Sequence, residues 1–474
     1  MLDRRLDDRP QLRHTRRALA HPLSASAWKD ALEVRRGDPT VAVALRVGFA
    51  TMLALVGGGL LGYGQVAGFA ALGALTSAFL RYEPYPLLAV RLPWVGLGIV
   101  GYTAFGAALG AMGAPLWVQI VALSLGSAVA YWVFTAFSLM GPGPVILIFA
   151  AAGAAGFSDG WGDAGLVTAA ATIGALLGYV IAMLPALSHP HTPARLAVAR
   201  ALAAVSAVEI RGADAVPAAR QSIRKARETV ALNAPRRPDA HVHELAALLD
   251  AAETVLDSGS HDTSRARRDD FSRFEKELRK ARRDIEIPRV DAEGRPVLPT
   301  PPGFVREGCG RLLDRLVLIG AARIFVASLL AASFAASFAA PIGLDHPLWA
   351  AMGAMAALQG LNYRNTVQRG IQRLIGNVGG AMIAAVLLAL DLGYWPVVAA
   401  AVLFQTLTEL TVTRNYGLAS VGVTTMALLL TGLGQHAGPG LAVNRVADTV
   451  IGVVVGVIVA AVTIRHDDRH HLVA

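Results

Sequence analysis

The sequence predicts an all-α polytopic membrane protein: about twelve transmembrane helices as two parallel six-helix repeats, with a cytoplasmic helical domain between them. Three observations carry this expectation. The 474 residues are 54% hydrophobic and only 16% charged, with a mean hydropathy of +0.49; a soluble chain carries ~25% charged residues. The apolar residues gather in blocks near the roughly 20 residues that cross hydrocarbon. Basic residues avoid every second connection between those blocks. A soluble enzyme of this composition would expose too much apolar surface, and disorder is excluded for the same reason.

The elements follow in order. Residues 1–39 form a polar, Arg-rich arm with no signal-peptide pattern. The first repeat, 40–186, has spans near 40–62, 64–80, 92–111, 115–134, 138–157 and 164–186. Residues 187–315 are charged and read as a cytoplasmic helical domain, with helices near 194–213, 217–232, 239–257 and 264–284. Leu245, Leu248, Leu249 and Val255 supply helical periodicity there, and a proline-rich linker, 288–302, follows. The second repeat, 316–464, has spans near 316–341, 346–361, 374–390, 393–409, 414–433 and 441–464. A cytoplasmic tail, 465–474, closes the chain.

Charge placement tests the count. With the N-terminus inside, the outer connections carry no Lys or Arg but hold Asp159, Asp163, Asp345 and Asp391. Inside lie nine basic residues in 1–39 and 23 in 187–315. That is the positive-inside asymmetry, and it explains the net charge of +9 without nucleic acid. It predicts a multi-pass protein of the cell inner (cytoplasmic) membrane with both termini cytoplasmic.

The halves also echo each other. Arg46 and Arg323 lie in the first spans, Arg91-Leu92 and Arg373-Leu374 start the third, and Ile173-Gly174…Gly178 and Ile451-Gly452…Gly456 mark the sixth. Six spans per half gives a parallel repeat, which places a pathway between the halves.

In the second half, His346-Pro347-Leu348-Trp349-Ala350, Leu358-Gln359, Thr366, Arg369, Arg373-Leu374-Ile375-Gly376, Arg414-Asn415-Tyr416, Arg445, Asp448-Thr449 and Ile451-Gly452 occur in one order. This pattern resembles the fusaric-acid-resistance-like (FUSC) family of integral membrane transporters, similar to aromatic acid exporters and to plant aluminium-activated malate channels. The match covers about 316–464. The first half resembles the family through the repeat only, with Val167 and Ala170 where Arg445 and Asp448 would stand. The resemblance implies a bacterial cytoplasmic-membrane protein that exports small organic acids, and two six-span units around one pathway.

The candidate residues follow from the cost of carrying a carboxylate through lipid. Arg stays charged and grips carboxylate with two donors. Arg46 and Arg323, each about 9–10 Å in from its span's inner end, are candidates for substrate binding; snorkelling to headgroups is the alternative. Arg445 and Asp448 share a helix face and can pair. They read either as substrate and proton sites or as a structural ion pair. Asn415 and Tyr416 complete the substrate-binding set. Arg91, Arg369, Arg373 and Arg414 border the inner mouth, where they attract anions or only fix topology. Gly141-Pro142-Gly143-Pro144 suggests a helix broken at Pro142 and Pro144, or a plain loop. His346 reads as helix-start packing or a titrating group. Trp94, Trp349, Tyr363 and Tyr416 read as interfacial aromatics or as stacking partners for a substrate.

Other chemistry is not supported. Gly96-x-Gly98-x-x-Gly101 lies in an apolar span rather than after a strand. The pairs His189/His191, His241/His243 and His470/His471 do not share helix faces, so no metal is expected. Cys309 is the one cysteine, which excludes a Cys-based zinc site. No cofactor, ATP-binding motif or catalytic set is visible. The reading is therefore a transporter, not an enzyme. It exports small organic acids, aromatic carboxylates among them, driven by the proton gradient. A passive organic-anion channel and a non-transport scaffold acting through the basic domain are the alternatives. Its partners are the small organic anion and the lipid bilayer, not nucleic acid. A homo-oligomer is compatible, although one chain supplies both halves of a pathway.

Overall fold

The computed structural model describes residues 18–34, 41–139, 141–233, 240–258, 261–280, 303–342, 346–360, 362–435 and 440–463. Among them every regular element is a helix. In chain order these are α1 (Ala25–Leu32), α2 (Val41–Leu60), α3 (Ala67–Ala74, continued by a 3-10 turn Leu75–Ala78), α4 (Tyr85–Ala111), α5 (Leu116–Ala136), α6 (Val145–Phe157), α7 (Trp161–Met183), α8 (Thr192–Arg211) and α9 (Val216–Asn233). There follow α10 (Ala240–Ser258), α11 (His261–Leu278), α12 (Phe304–Arg311), α13 (Arg315–Ile342), α14 (Leu348–Leu358), α15 (Tyr363–Ala389), α16 (Tyr394–Thr411), α17 (Tyr416–Gln435) and α18 (Gly440–Val462). Contacts divide the chain into two units: Met1–Phe79, Trp94–Ile181 and Gly308–Ala474 form one, Leu80–Pro93 and Ala182–Glu307 the other.

Among the described residues, eight helices are long and apolar enough to cross a membrane: α2, α4, α5, α7, α13, α15, α17 and α18. Their outward faces stay apolar. Leu45, Phe49, Leu97, Leu125, Ile173, Leu330, Met382 and Val454 are all exposed, as lipid contact requires and water forbids. The protein is a multi-pass membrane protein. The expectation of about twelve crossings is met in part, because Ala67–Ala78, Val145–Phe157 and Leu348–Leu358 are shorter apolar helices. At 1.5 Å per residue they reach roughly 17–20 Å, against a hydrocarbon core of about 30 Å. α16 falls outside the long apolar set while burying Gln405, Thr408 and Glu409.

Two helices begin earlier than hydropathy suggests. α4 starts at Tyr85 rather than near 92, and α15 at Tyr363 rather than near 374. The first turns of α15 carry Arg364, Gln368, Arg369, Gln372 and Arg373, so no apolar run marks them. They are helical nonetheless because their polar groups bond to other parts of the protein, as described below.

Close approach without side chains sets the packing of two helix pairs. A Cβ at Gly174 of α7 would overlap the Ala70 carbonyl of α3, and one at Gly178 would press on Ala74. In the second half Gly452 and Gly456 of α18 stand in the same relation to Ala350 and Ala354 of α14. Contacts between the halves are also reciprocal. α16 packs on α2 and α5 on α13; α14 packs on α6 and α17 on α3.

The second unit has its own core, in which Leu202 of α8, Ile223 of α9, Leu245 and Leu249 of α10, and Phe271 of α11 are buried together. Within it Arg91 pairs with Glu83 at 3.2 Å and lies 4.8 Å from the ring centre of Phe304. Burial raises the Glu83 carboxyl above its ordinary value, Arg91 and Lys225 oppose this, and Glu228 and Glu307 add to it. Arg282, Arg283, the linker 288–302, Asp345, the tail 465–474 with its His pair, and most of the N-terminal arm lie outside the described residues, as do the side chains of Arg265, Arg267 and Arg268.

Candidate functional site

The ends of α3, α6, α14 and α17 enclose a vestibule of about 600 Å³, its mouth included. Phe69, Phe149, Phe157, His346, Trp349 and Thr431 line it. The aromatic rings are arranged rather than scattered. His346 stacks on Trp349 with centroids 4.4 Å apart, and Phe69 meets Phe157 edge-on at 5.6 Å. Each half contributes its second and fifth helices, counted within the repeat.

Arg445 lies behind this lining. It is 4% exposed, and its guanidinium carbon is 4.9 Å from the Trp349 ring centre and 5.8 Å from that of Phe149. Both rings therefore face the vestibule on one side and a buried cation on the other. Asp448, one turn further along α18, is fully buried. Among the described residues, neither of its oxygens has a hydrogen-bond partner and no ion pair joins it to Arg445. The expected structural ion pair is therefore not formed, although the helix spacing permits it. Arg445 points to aromatic faces instead.

Toward the opposite helix ends, α15 brings two further cations against Tyr416 of α17. Arg373, 6% exposed, donates from Nη1 to the Tyr416 hydroxyl at 3.1 Å. Arg369 lies over the Tyr416 ring at 4.3 Å. It also donates to the Ala356 carbonyl at 3.3 Å and to Gln359 Oε1 at 3.4 Å. Arg445 is within electrostatic reach of Arg373, Tyr416 and Asp448. Among the described residues none of these three arginines has a carboxylate bonded to it. Arg373 is thus a buried residue rather than part of a solvated mouth.

The remaining candidates are distributed differently. Arg46 donates to the Ser77 carbonyl at 2.9 Å, gripping the turn that ends α3. Arg323 is half-buried on α13 and Arg414 is exposed. Arg91 belongs to the second unit, beside Glu83. Asn415 caps α17: its Oδ1 accepts from the amides of Gly417 and Leu418, and its Nδ2 donates to the carbonyls of Ala31 and Glu33. Pro142 and Pro144 precede α6 in a non-helical segment where Gly143 has φ +95°, and a Cβ there would meet Gln359 Oε1 at 2.6 Å. Tyr363 donates to the Ala18 carbonyl at 2.6 Å, and Trp94 is exposed.

Sequence reasoning overlooked Phe69, Phe149 and Phe157, which give no signal of their own inside apolar runs. It also overlooked Glu409, 2% exposed and bonded from Gln405 at 3.3 Å. An acidic residue in an apolar span was the available signal.

Residues 327–459 match the model of the family described as fusaric acid resistance protein-like, so the resemblance read from the motifs of the second half is borne out. An uncharacterized membrane protein of Bacillus subtilis (strain 168), YvaC, is 25% identical over 470 residues, covering 90% of this chain and 73% of its own length. No solved structure matches.

Proposed function

We propose that this membrane protein, with its fusaric acid resistance protein-like second half, exports small aromatic carboxylates, driven by the proton gradient. One observation carries the reading: Arg369 and Arg373 meet Tyr416, Arg445 lies within electrostatic reach of Arg373, Tyr416 and Asp448, and among the described residues no carboxylate is bonded to any of the three arginines. Buried cations are expensive, and an anion from solution supplies the missing counter-charge with two-donor geometry. The rings of Phe69, Phe149, Phe157 and Trp349 suit an aromatic body.

The helices are taken as two parallel six-helix repeats, three of them too short to span alone, with the pathway between them. The reciprocal packing and the matched Gly174–Ala70 and Gly452–Ala350 contacts support that symmetry. Phe149 and Trp349 serve as the gate. They hold Arg445 by cation–π contact, worth roughly 0.5–2 kcal/mol, until an anion replaces them. Asp448 is the proton site, and Arg46 an anchor for α3. The basic segments face the cytoplasm, with the vestibule end outside. The protein acts as a carrier, without metal or cofactor.

The test is flux of 4-hydroxybenzoate in proteoliposomes, with protein-free liposomes as baseline. Protein-dependent flux that responds to an imposed pH gradient and collapses with a protonophore is expected. Ohmic anion current indifferent to that gradient would replace the carrier by a channel, and absence of flux would defeat the anion reading.

A further inference from the structure

The short helix α1 is built to be held. Ser24 caps it by accepting from the Ala27 amide at 3.3 Å, and its buried Ala27 and Ala31 face the protein. A helix leaves its last carbonyls without partners. Here they are taken up by side chains of α15 and α17. Gln368 donates to the Asp30 carbonyl at 3.0 Å, Gln372 to Ala31 at 2.9 Å, and Asn415 to Ala31 and Glu33 at 3.0 Å each. Arg364 grips the Asp30 carboxylate through Nε and Nη2.

The positions of the donors are informative. Gln368 precedes Arg369, Gln372 precedes Arg373, and Asn415 precedes Tyr416. Each tie to α1 thus sits one residue from Arg369, Arg373 or the Tyr416 that both arginines meet. Aligning Arg373 with Arg91 puts Val90 at the place of Gln372 and Pro86 at that of Gln368. The first half therefore lacks these donors, so the ties are no part of what the repeats share. Beyond the ties, Arg369 bonds Gln359, which lies against Gly143 of the first half.

We propose that α1 is a releasable strap. Docked, it fixes α15 against α17 and keeps the cluster shut at that end; undocked, it lets those helices part and admits the anion. The proposal rests on the transport reading for its function and on the hydrogen bonds alone for its mechanics.

The experiment uses the full-length protein with Cys309→Ser, reconstituted in liposomes. Oxidising the pair Asp30→Cys and Arg364→Cys should slow 4-hydroxybenzoate flux at least about tenfold, and reductant should restore it. Unchanged flux after complete oxidation overturns the strap. Separately, Ala31→Cys in the Cys309→Ser background should react with a soluble maleimide in the folded protein. It should do so at least about tenfold faster when Gln368→Leu and Gln372→Leu are added. Reaction only after denaturation would show a permanent fixture and overturn the proposal. If the reduced control moves no 4-hydroxybenzoate, the anion reading fails while the maleimide result still decides whether α1 releases.

Discussion

Replacing Arg445 by Met separates recognition from support. The side chain is 4% exposed, and its contacts of 4.9 and 5.8 Å are to aromatic faces, not to an acid. Desolvating a guanidinium costs several kcal/mol, and the two cation–π contacts return roughly 2 kcal/mol each at best. Arg445→Met keeps an apolar stem of similar length, so the thermal unfolding midpoint in detergent should stay the same or rise. A hydrogen bond from a charged group to a bound anion is worth about 1.5–3 kcal/mol. At about 1.4 kcal/mol per tenfold, the half-saturating 4-hydroxybenzoate concentration should rise roughly 10- to 150-fold. Concentration-dependent flux and a melting curve on one preparation give both numbers. A lower midpoint with unchanged half-saturation would make Arg445 a structural residue and refute the reasoning.

Four further outcomes are expected. Asp448→Asn should leave the fold and anion binding in place but make flux indifferent to an imposed pH gradient; retained coupling would remove Asp448 from the proton path. Gly452→Val should lower stability by about 1–3 kcal/mol or more, because the added carbons meet backbone of α14; a wild-type melting curve would contradict the close approach. Arg46→Ala should cost about 1.5–3 kcal/mol of stability through the lost bond to Ser77 without changing half-saturation, and a large affinity loss would return Arg46 to the binding set. His21 is held below its ordinary value of 6.5, first by burial and then by Arg364, with Asp30 opposing; the Tyr363 ring is 6.5 Å away. Docked α1 then binds fewer protons than undocked α1, so docking is complete above about pH 6.5 and weakens as pH falls through the docked value. Maleimide labelling of Ala31→Cys, divided by that of the exposed Cys309 in the parent protein to remove the falling thiolate fraction, should quicken from pH 8 to pH 5.5 and lose that dependence with His21→Gln.

Hydropathy found the long helices because lipid-facing residues such as Leu97 and Ile173 are apolar whatever they pack beside. It overextended α3, α6 and α14, since a short helix between two apolar connections leaves the same trace as a long one. Of the four helices α8–α11, α10 was legible from the spacing of Leu245, Leu248 and Leu249 on one face. Arg445, Asp448, Arg369, Arg373 and Tyr416 stood out as polar groups in the spans or at their edges, yet the meeting of Arg369 and Arg373 on Tyr416, and the turn of Arg445 toward Trp349 and Phe149, needed the packed helices. Arg46 attracted attention through its charge inside a span and its counterpart in the repeat, and its bond to a main-chain carbonyl has no sequence signature. The docking of α1 was hidden because carbonyl acceptors are common to every residue, and only the spacing of Gln368 and Gln372 hinted at it.

The vestibule lining runs along α3 from Gly68 to Leu72, about 6 Å of helix, or roughly a fifth of the hydrocarbon thickness. Water standing in such a recess carries the bulk potential with it. The insulating layer is then thinnest around Trp349 and Phe149, and the voltage across the membrane is compressed into that layer. An ion traversing it senses most of the roughly 2.3 kcal/mol per elementary charge that 100 mV provides. On the proposed transport reading, the shortness of three helices therefore sets how steeply passage answers to membrane voltage.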